Sequence, residues 1–359
     1  MTTATPDYKT YQLGNWELQC GKSIPDAFLA YKTFGDPKSP AVVYPSWYSG
    51  LISDNFWFIG EDKALNPQKY FVIVTALFGN GQSSSPSNTP ALNPFPKVTF
   101  YDNVRAQHKL VTEHFGINHL RAVLGWSMGA GQTFQWITQY PDMVDVALPF
   151  CGSAKTSLHN QAMLEGVKSA VLAAKGLQSA GSTEVAVAAE EEPRTWTAEE
   201  KEVALKALGR VYSGWGFSQA WYRERLFEKH YGFSDLNSFI TGFWETWACS
   251  KEPENMLLML QTWQMGDVSN QEPYNGNFEM AMQSIKAKTI VAPSKNDLYF
   301  PPEDSEYEVA NMRPGAGQLE VYPSIWGHWA GGPGGSVENV KWLDDHFRAL
   351  LEQNPGRSG

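Results

Sequence analysis

The sequence predicts an α/β fold: a mainly parallel sheet flanked by helices, with an inserted helical cap. Three observations predict it. Short apolar runs alternate with helical patterns; several runs are continuous rather than alternating, as in strands covered on both faces; and strand signals stop for a long internal stretch before they resume.

The expected strands are "AVVYPS" (41–46), "YFVIVTALFG" (70–79), "LRAVLGWS" (120–127), "VDVALPFCG" (144–152), "KTIVAPS" (288–294) and "LEVYPS" (319–324). Between the second and third, "YDNVRAQHKLVTEHFG" sets Val104, His108, Leu110, Val111 and Phe115 at helical spacing, with Gly116 as a stop. After the third comes a helical pattern, "MGAGQTFQWITQY", closed by Pro141. From about 153 to 283 the chain reads as helices broken by "SAGSTEVAVAAEEEPRTWTAEE" (179–200), an acidic, Ala-rich stretch expected to be a solvated link. The expected division is therefore a core of residues 1–152 and 284–359 and a helical cap of residues 153–283. Such a cap lies over the C-terminal edge of the strands, where open α/β sheets bind ligands.

With 359 residues, 42% of them hydrophobic, the chain can bury a large core. A net charge of -10 argues against a nucleic-acid or anionic-membrane partner, since both need clustered Lys and Arg. Cys20, Cys151 and Cys249 show neither paired nor metal-ligand spacing, which points to reduced thiols and a reducing compartment. The N-terminus is polar, and no stretch approaches the roughly 18 uninterrupted apolar residues of a membrane span. A soluble, cytoplasmic protein is expected. The 14 Trp, several of them between 195 and 265, are the unusual feature of the composition.

Gly125-Trp126-Ser127-Met128-Gly129 fits G-x-S-x-G, with a strand before it and a helix after it. The glycines leave room where strand and helix nearly touch, and the helix start offers N–H groups to a developing anion. Ser127 is the expected nucleophile; a purely structural turn is the alternative. A serine hydroxyl needs a base, and the base an orienting acid. His328, in the glycine-rich "IWGHWAGGPGG" after the last expected strand, is the candidate base. Asp297, at the end of "KTIVAPS", is the candidate acid, with Glu303 and Asp304 as competitors that follow Pro301-Pro302. His108, His114, His119 and His346 fall in helix-like or pre-strand segments, and His159 and His230 in the cap. For the oxyanion, one backbone donor is expected from Met128 and a second from "YPSWYSG", with Tyr48 ahead of Trp47.

Taken together, "YDNVRAQHKLVTEHFG", "GWSMGAGQTFQWITQYPDMV", "NSFI", "ENMLLMLQTW", "SKNDLYFPPE" and "GHWAGG" resemble the homoserine O-acetyltransferase branch of the α/β-hydrolase superfamily over most of the chain. The resemblance implies an α/β-hydrolase fold with a helical cap, a tunnel to the serine, a ping-pong acyl-enzyme and a homodimer. Two departures bear on substrate. Where the family carries an arginine that grips the carboxylate of homoserine, "GFSQAWY" has Trp221; where it carries an aspartate after the catalytic histidine for the amino group, "GHW" has Trp329. A zwitterion entering an apolar pocket unpaired would lose several kcal/mol of hydration. Trp126, Trp221 and Trp329 are accordingly the candidate substrate-binding residues, for an apolar or aromatic portion; simple packing of the cap is the alternative.

The expected function is serine-dependent acyl transfer, with water as acceptor and a small-molecule carboxylic ester, lactone or thioester as substrate. An acetyl-CoA-dependent O-acetyltransferase acting on an alcohol is the alternative, and a non-catalytic binding protein the remote one. These residues imply no metal or bound cofactor.

Overall fold

The strands of the central sheet are β1 (Lys9–Glu17), β2 (Ser23–Phe34), β3 (Ala41–Pro45), β4 (Phe71–Thr75), β5 (Leu120–Trp126), β6 (Val144–Phe150), β7 (Lys288–Val291) and β8 (Gly317–Leu319). In the computed structural model, which describes residues 7–176 and 195–353, they form one sheet in the order β1-β2-β4-β3-β5-β6-β7-β8. From β4 to β8 all neighbours pair in parallel. Every residue of β3, β4 and β5 is buried, as their unbroken apolar runs require.

Two strands were not foreseen. β1 pairs antiparallel with β2, and β2 antiparallel with β4, extending the sheet at one edge. Their residues alternate between polar and apolar with interruptions, because β1 is an edge strand with most of its side chains in water. The register slips at Gly14, whose φ of +69° suits a bulge. At the other edge, the run expected at 319–324 is displaced: β8 ends at Leu319, and Tyr322 makes only an isolated bridge to Ser294.

Two helices frame the nucleophile strand. α1 (Phe100–Lys109) begins in a capping box, in which Thr99 Oγ1 accepts from the Asp102 amide at 3.3 Å and Asp102 Oδ2 accepts from the Thr99 amide at 3.0 Å. It passes into a π-helical turn at Leu110–His114. α2 (Met128–Gln139) follows β5 directly, buried along almost its whole length.

Between β6 and β7 the described residues form no strand beyond one isolated bridge, Lys155 to Asp267, and the helices are α3 (Leu158–Ala173), α4 (Ala198–Gly216), α5 (Gln219–Arg223), α6 (Leu226–Lys229), α7 (Leu236–Phe239), α8 (Thr246–Cys249), α9 (Pro253–Gln264) and α10 (Phe278–Ser284), with a π-helical segment, Ile240–Glu245, joining α7 to α8. Most of the acidic stretch at 179–200 lies outside the described residues; its end is the start of α4, capped by Thr197. The interior of this block is built of rings. Phe217 stacks on Trp221 at 3.9 Å between centroids and also meets Phe239, Phe243, Trp244 and Trp326. Much of the unusual tryptophan content is therefore packing material. The chain closes with α11 (Pro302–Asn311) and α12 (Val337–Gln353).

Candidate active site

Ser127 occupies the single residue between β5 and α2 and has φ 58° and ψ -124°, a conformation that a residue with a side chain rarely adopts. The flanking glycines make this turn possible. A Cβ on Gly125 would stand 2.3 Å from the Gly129 carbonyl carbon, and one on Gly129 would stand 2.9 Å from the Pro45 carbonyl oxygen. Gly152, after β6, is equally constrained, since its Cβ would stand 2.5 Å from the Ser127 backbone carbonyl oxygen. Strand, helix and the loop after β3 thus meet at distances that only bare backbone allows.

The loops after β7 and β8 bring two side chains to this point. His328 Nε2 lies 3.0 Å from Ser127 Oγ, and His328 Nδ1 lies 2.8 Å from Asp297 Oδ2. The second carboxylate oxygen, Asp297 Oδ1, accepts from the backbone amides of Tyr299 (2.8 Å) and Phe300 (3.1 Å). With both oxygens engaged the carboxylate has a fixed direction, and so does the imidazole. Glu303 and Asp304 are instead in the first turn of α11. Burial raises the Asp304 carboxyl above its ordinary range, and Ser157 is its hydrogen-bonding neighbour. Ser127, Asp297 and His328 are all buried. The other histidines are spent elsewhere: His108 stacks on Tyr140, His114 bonds Tyr31, His119 bonds Asp145, His346 bonds the Trp342 carbonyl, and His159 and His230 lie against Trp215 and Trp326.

Met128 supplies the first N–H of α2, one of those a helix leaves without an internal partner. The loop carrying Trp47 and Tyr48 lies against that helix start. Ser49 has φ 64°, and the Gly50 amide donates to the Trp47 carbonyl at 3.0 Å. A Cβ on Gly50 would stand 2.8 Å from the Trp47 indole, so the ring folds back over a residue that must be bare. Sequence reasoning missed what joins loop and helix. Gln132 Nε2 donates to the Ser46 carbonyl at 2.8 Å and to the Met128 carbonyl at 3.2 Å. Gln132 Oε1 accepts from Gln107 Nε2 at 2.6 Å, and Gln107 Oε1 from Trp136 Nε1 at 2.7 Å. All of these side chains are buried. From the other side, Lys251 Nζ donates to the Ser49 carbonyl at 3.2 Å, and burial lowers its pKa. The available signal was a glutamine on the apolar face of α2.

The three candidate indoles separate. Trp126 lies behind the histidine, with its ring stacked on His328 at 4.8 Å and its Nε1 donating to the His328 carbonyl at 3.1 Å. Both contacts hold the orientation of the imidazole and its backbone. A Cβ on Gly331 or Gly332 would stand within 2.8 Å of it, which accounts for the glycines of "GHWAGG". Trp221 is 0% exposed, and its ring contacts are with Phe217, Tyr222, Phe227, Tyr231, Phe239 and Trp326. The expectation that Trp221 faces substrate is corrected: it is a central packing residue of the helical block. Trp329 is half-buried and bridges the two regions, 5.5 Å from Trp126 and 5.2 Å from Trp244.

Among the described residues no helix is long and apolar enough to cross a membrane.

Residues 44–331 match a family model described as the alpha/beta hydrolase fold. A probable esterase of Corynebacterium glutamicum is 35% identical over 355 residues, covering 96% of both chains. An ethyl acetate hydrolase of Pseudomonas veronii is 34% identical over 354 residues, covering 96% of this chain and 95% of the relative. The solved structure of an acetylester hydrolase from Corynebacterium glutamicum superposes with a TM-score of 0.85 at 33% identity, covering 96% of each chain. A homoserine O-acetyltransferase of Nostoc punctiforme is 24% identical over 343 residues, covering 90% of this chain and 92% of the relative.

Proposed function

The chain belongs to the α/β-hydrolase family, within reach of both esterases and homoserine O-acetyltransferases, and from that premise we infer that it hydrolyses small carboxylic esters, acetyl esters among them, through an acyl-enzyme on Ser127. The observation that carries this reading is the hydrogen-bonded series Ser127–His328–Asp297 at 3.0 and 2.8 Å. Ser127 Oγ attacks the ester carbonyl carbon while its proton passes to His328 Nε2. The charge that appears on the imidazole is balanced by Asp297, and the charge on the carbonyl oxygen is received by the amides of Met128 and Tyr48, with Trp47 the other candidate for the second donor. His328 then returns the proton to the departing alkoxide. Water, deprotonated by the same nitrogen, releases the acid and restores the serine.

The hydrolytic assignment is supported by relatives whose names specify ester hydrolysis at 34–35% identity over 96% of the chain, whereas homoserine O-acetyltransferases reach 37% identity over only 37% of it or 24% over 90% of it. It is also supported by Trp329, an indole directly after His328 where the resembling family carries the aspartate for the amino group of homoserine. Cytoplasmic residence and a homodimer belong to the proposal, the first on three cysteines that form no disulfide; light scattering of the purified protein tests the second.

The purified protein is to be assayed with ethyl acetate, and separately with acetyl-CoA in the presence and absence of homoserine. Ester hydrolysis without homoserine-stimulated release of CoA is expected, and Ser127→Ala should lower kcat by a factor on the order of 10⁴ to 10⁶ while remaining folded. Homoserine acetylation by the unmodified protein would return it to the acetyltransferase reading.

A further inference from the structure

Beside the triad, four buried rings close a loop of contacts. Tyr48, from the loop after β3, stacks on Tyr212 of α4 at 5.6 Å; Tyr212 lies 5.7 Å from Tyr299, Tyr299 lies 5.7 Å from Trp263 of α9, and Trp263 lies 5.8 Å from Tyr48. This loop is joined to the catalytic groups. The Tyr299 ring meets the His328 imidazole edge-on at 4.7 Å and its amide donates to Asp297; Phe300, 5.5 Å from the imidazole, stacks on Trp263.

Buried ring donors without a partner occur elsewhere in the structure, at Trp221, Tyr231 and Trp244 of the helical block among others; those of this cluster differ in lying beside the triad. Tyr48 Oη, Tyr299 Oη and Trp263 Nε1 are buried with no hydrogen-bond partner among the described residues. The phenols of Tyr48 and Tyr299 are also near enough to Tyr212 to add to the rise that burial gives its pKa. Buried donors are nearly always paired, and one left unpaired costs about 1–3 kcal/mol. Three in one cluster, of which Tyr299 touches His328 and Trp263 reaches it through Phe300, cost stability unless a ligand pairs them during the reaction cycle.

We propose that Tyr48, Tyr299 and Trp263 form a subsite for the alcohol portion of the substrate, and that this portion carries a second oxygen, as an ether, ketone or hydroxyl, that accepts a hydrogen bond from one or two of them. This rests on the hydrolytic reading above. The alcohol side follows from the mechanism, because the nitrogen that protonates the departing oxygen is His328 Nε2, and the rings of Tyr299 and Phe300 flank that imidazole. The need for an acceptor follows from Trp263 Nε1, which can only donate. A hydrocarbon alcohol fills the same volume and leaves all three donors unpaired.

Butyl acetate and 2-methoxyethyl acetate test this, since they differ by one CH₂ exchanged for an oxygen in a chain of the same length. The ratio of their kcat/KM values, 2-methoxyethyl over butyl, is measured for the unmodified protein, Tyr299→Phe and Tyr48→Phe, with Trp263→Phe as a further variant and folding checked by thermal denaturation. Any intrinsic difference in leaving-group reactivity is common to all and cancels in the comparison. In at least one folded variant the ratio should fall about three- to tenfold, the effect of one lost hydrogen bond. An equal ratio in the unmodified protein and every folded variant overturns the subsite. Failure of the unmodified protein to hydrolyse either ester overturns the hydrolytic reading instead, and the subsite with it.

Discussion

At the scale of single residues, the site geometry also depends on buried side chains outside the Ser127–His328–Asp297 series. Gln132 is the clearest case, because one amide group holds both backbones that carry the proposed oxyanion donors: it bonds the carbonyl of Ser46 in the loop after β3 and that of Met128 at the start of α2. Its own orientation is fixed by Gln107, which is fixed in turn by Trp136. Gln132→Leu keeps the approximate volume and removes every one of these bonds, leaving the Gln107 amide and two carbonyls without their partner. Stability should fall by about 1–3 kcal/mol. Losing one oxyanion donor outright costs on the order of 10² to 10³ in kcat, and a displaced donor should cost less, so kcat should fall roughly tenfold with KM little changed. Steady-state kinetics on the folded variant check this; a KM effect with unaltered kcat would mean that Gln132 shapes binding and leaves the donors where they are.

At the scale of elements, legibility followed burial. β3 to β6 could be read as strands because both faces are covered, which removes polar residues from the run; β1 and β2 could not, because an edge hairpin carries side chains suited to water and a bulge at Gly14 breaks the alternation. The elbow could be read because its glycines answer a steric demand that is local in sequence. The roles of the indoles could not, since a tryptophan looks alike in sequence whether it stacks on His328, as Trp126 does, or fills a helical interior, as Trp221 does. That contrast gives a prediction. Trp221→Ala removes a ring that is fully buried among aromatic neighbours and should destabilise the protein by about 3–5 kcal/mol. Trp329→Ala removes a half-buried ring that meets Trp126, and should cost less stability while changing kcat/KM more for a bulky ester than for ethyl acetate. Thermal denaturation and kinetics of the two variants side by side decide it; if Trp221→Ala alone altered substrate preference, the packing assignment would be wrong.

At the scale of the whole molecule, the helical block must be held to the sheet, and contacts at its middle and at its start contribute to this. Ser218 Oγ donates to the Ile325 carbonyl in the loop before His328, and at the exit from β6 the Ala154 amide donates to Glu308 Oε1 of α11 at 2.5 Å. The second contact carries a titratable group into the interior. Glu308 is 2% exposed, its other oxygen has no partner among the described residues, and burial, with a smaller contribution from Asp304, raises its pKa well above the ordinary 4.5 despite the backbone hydrogen bonds that oppose the shift. The unfolded chain therefore releases this proton near pH 4.5, whereas the native protein keeps it to a higher pH. Between those two values the native state binds more protons than the unfolded state, so this group makes stability fall as pH rises, by at most about 1.4 kcal/mol per pH unit. Glu308→Gln retains a carbonyl oxygen to accept from Ala154 and abolishes the titration. The stability of the variant relative to the unmodified protein, measured by denaturant unfolding, should be nearly constant below about pH 4 and should then climb in favour of the variant as pH is raised toward 8. Parallel stability curves across that range would show that Glu308 titrates in the native protein as it does in the unfolded chain, and that its burial is compensated by groups other than the Ala154 amide.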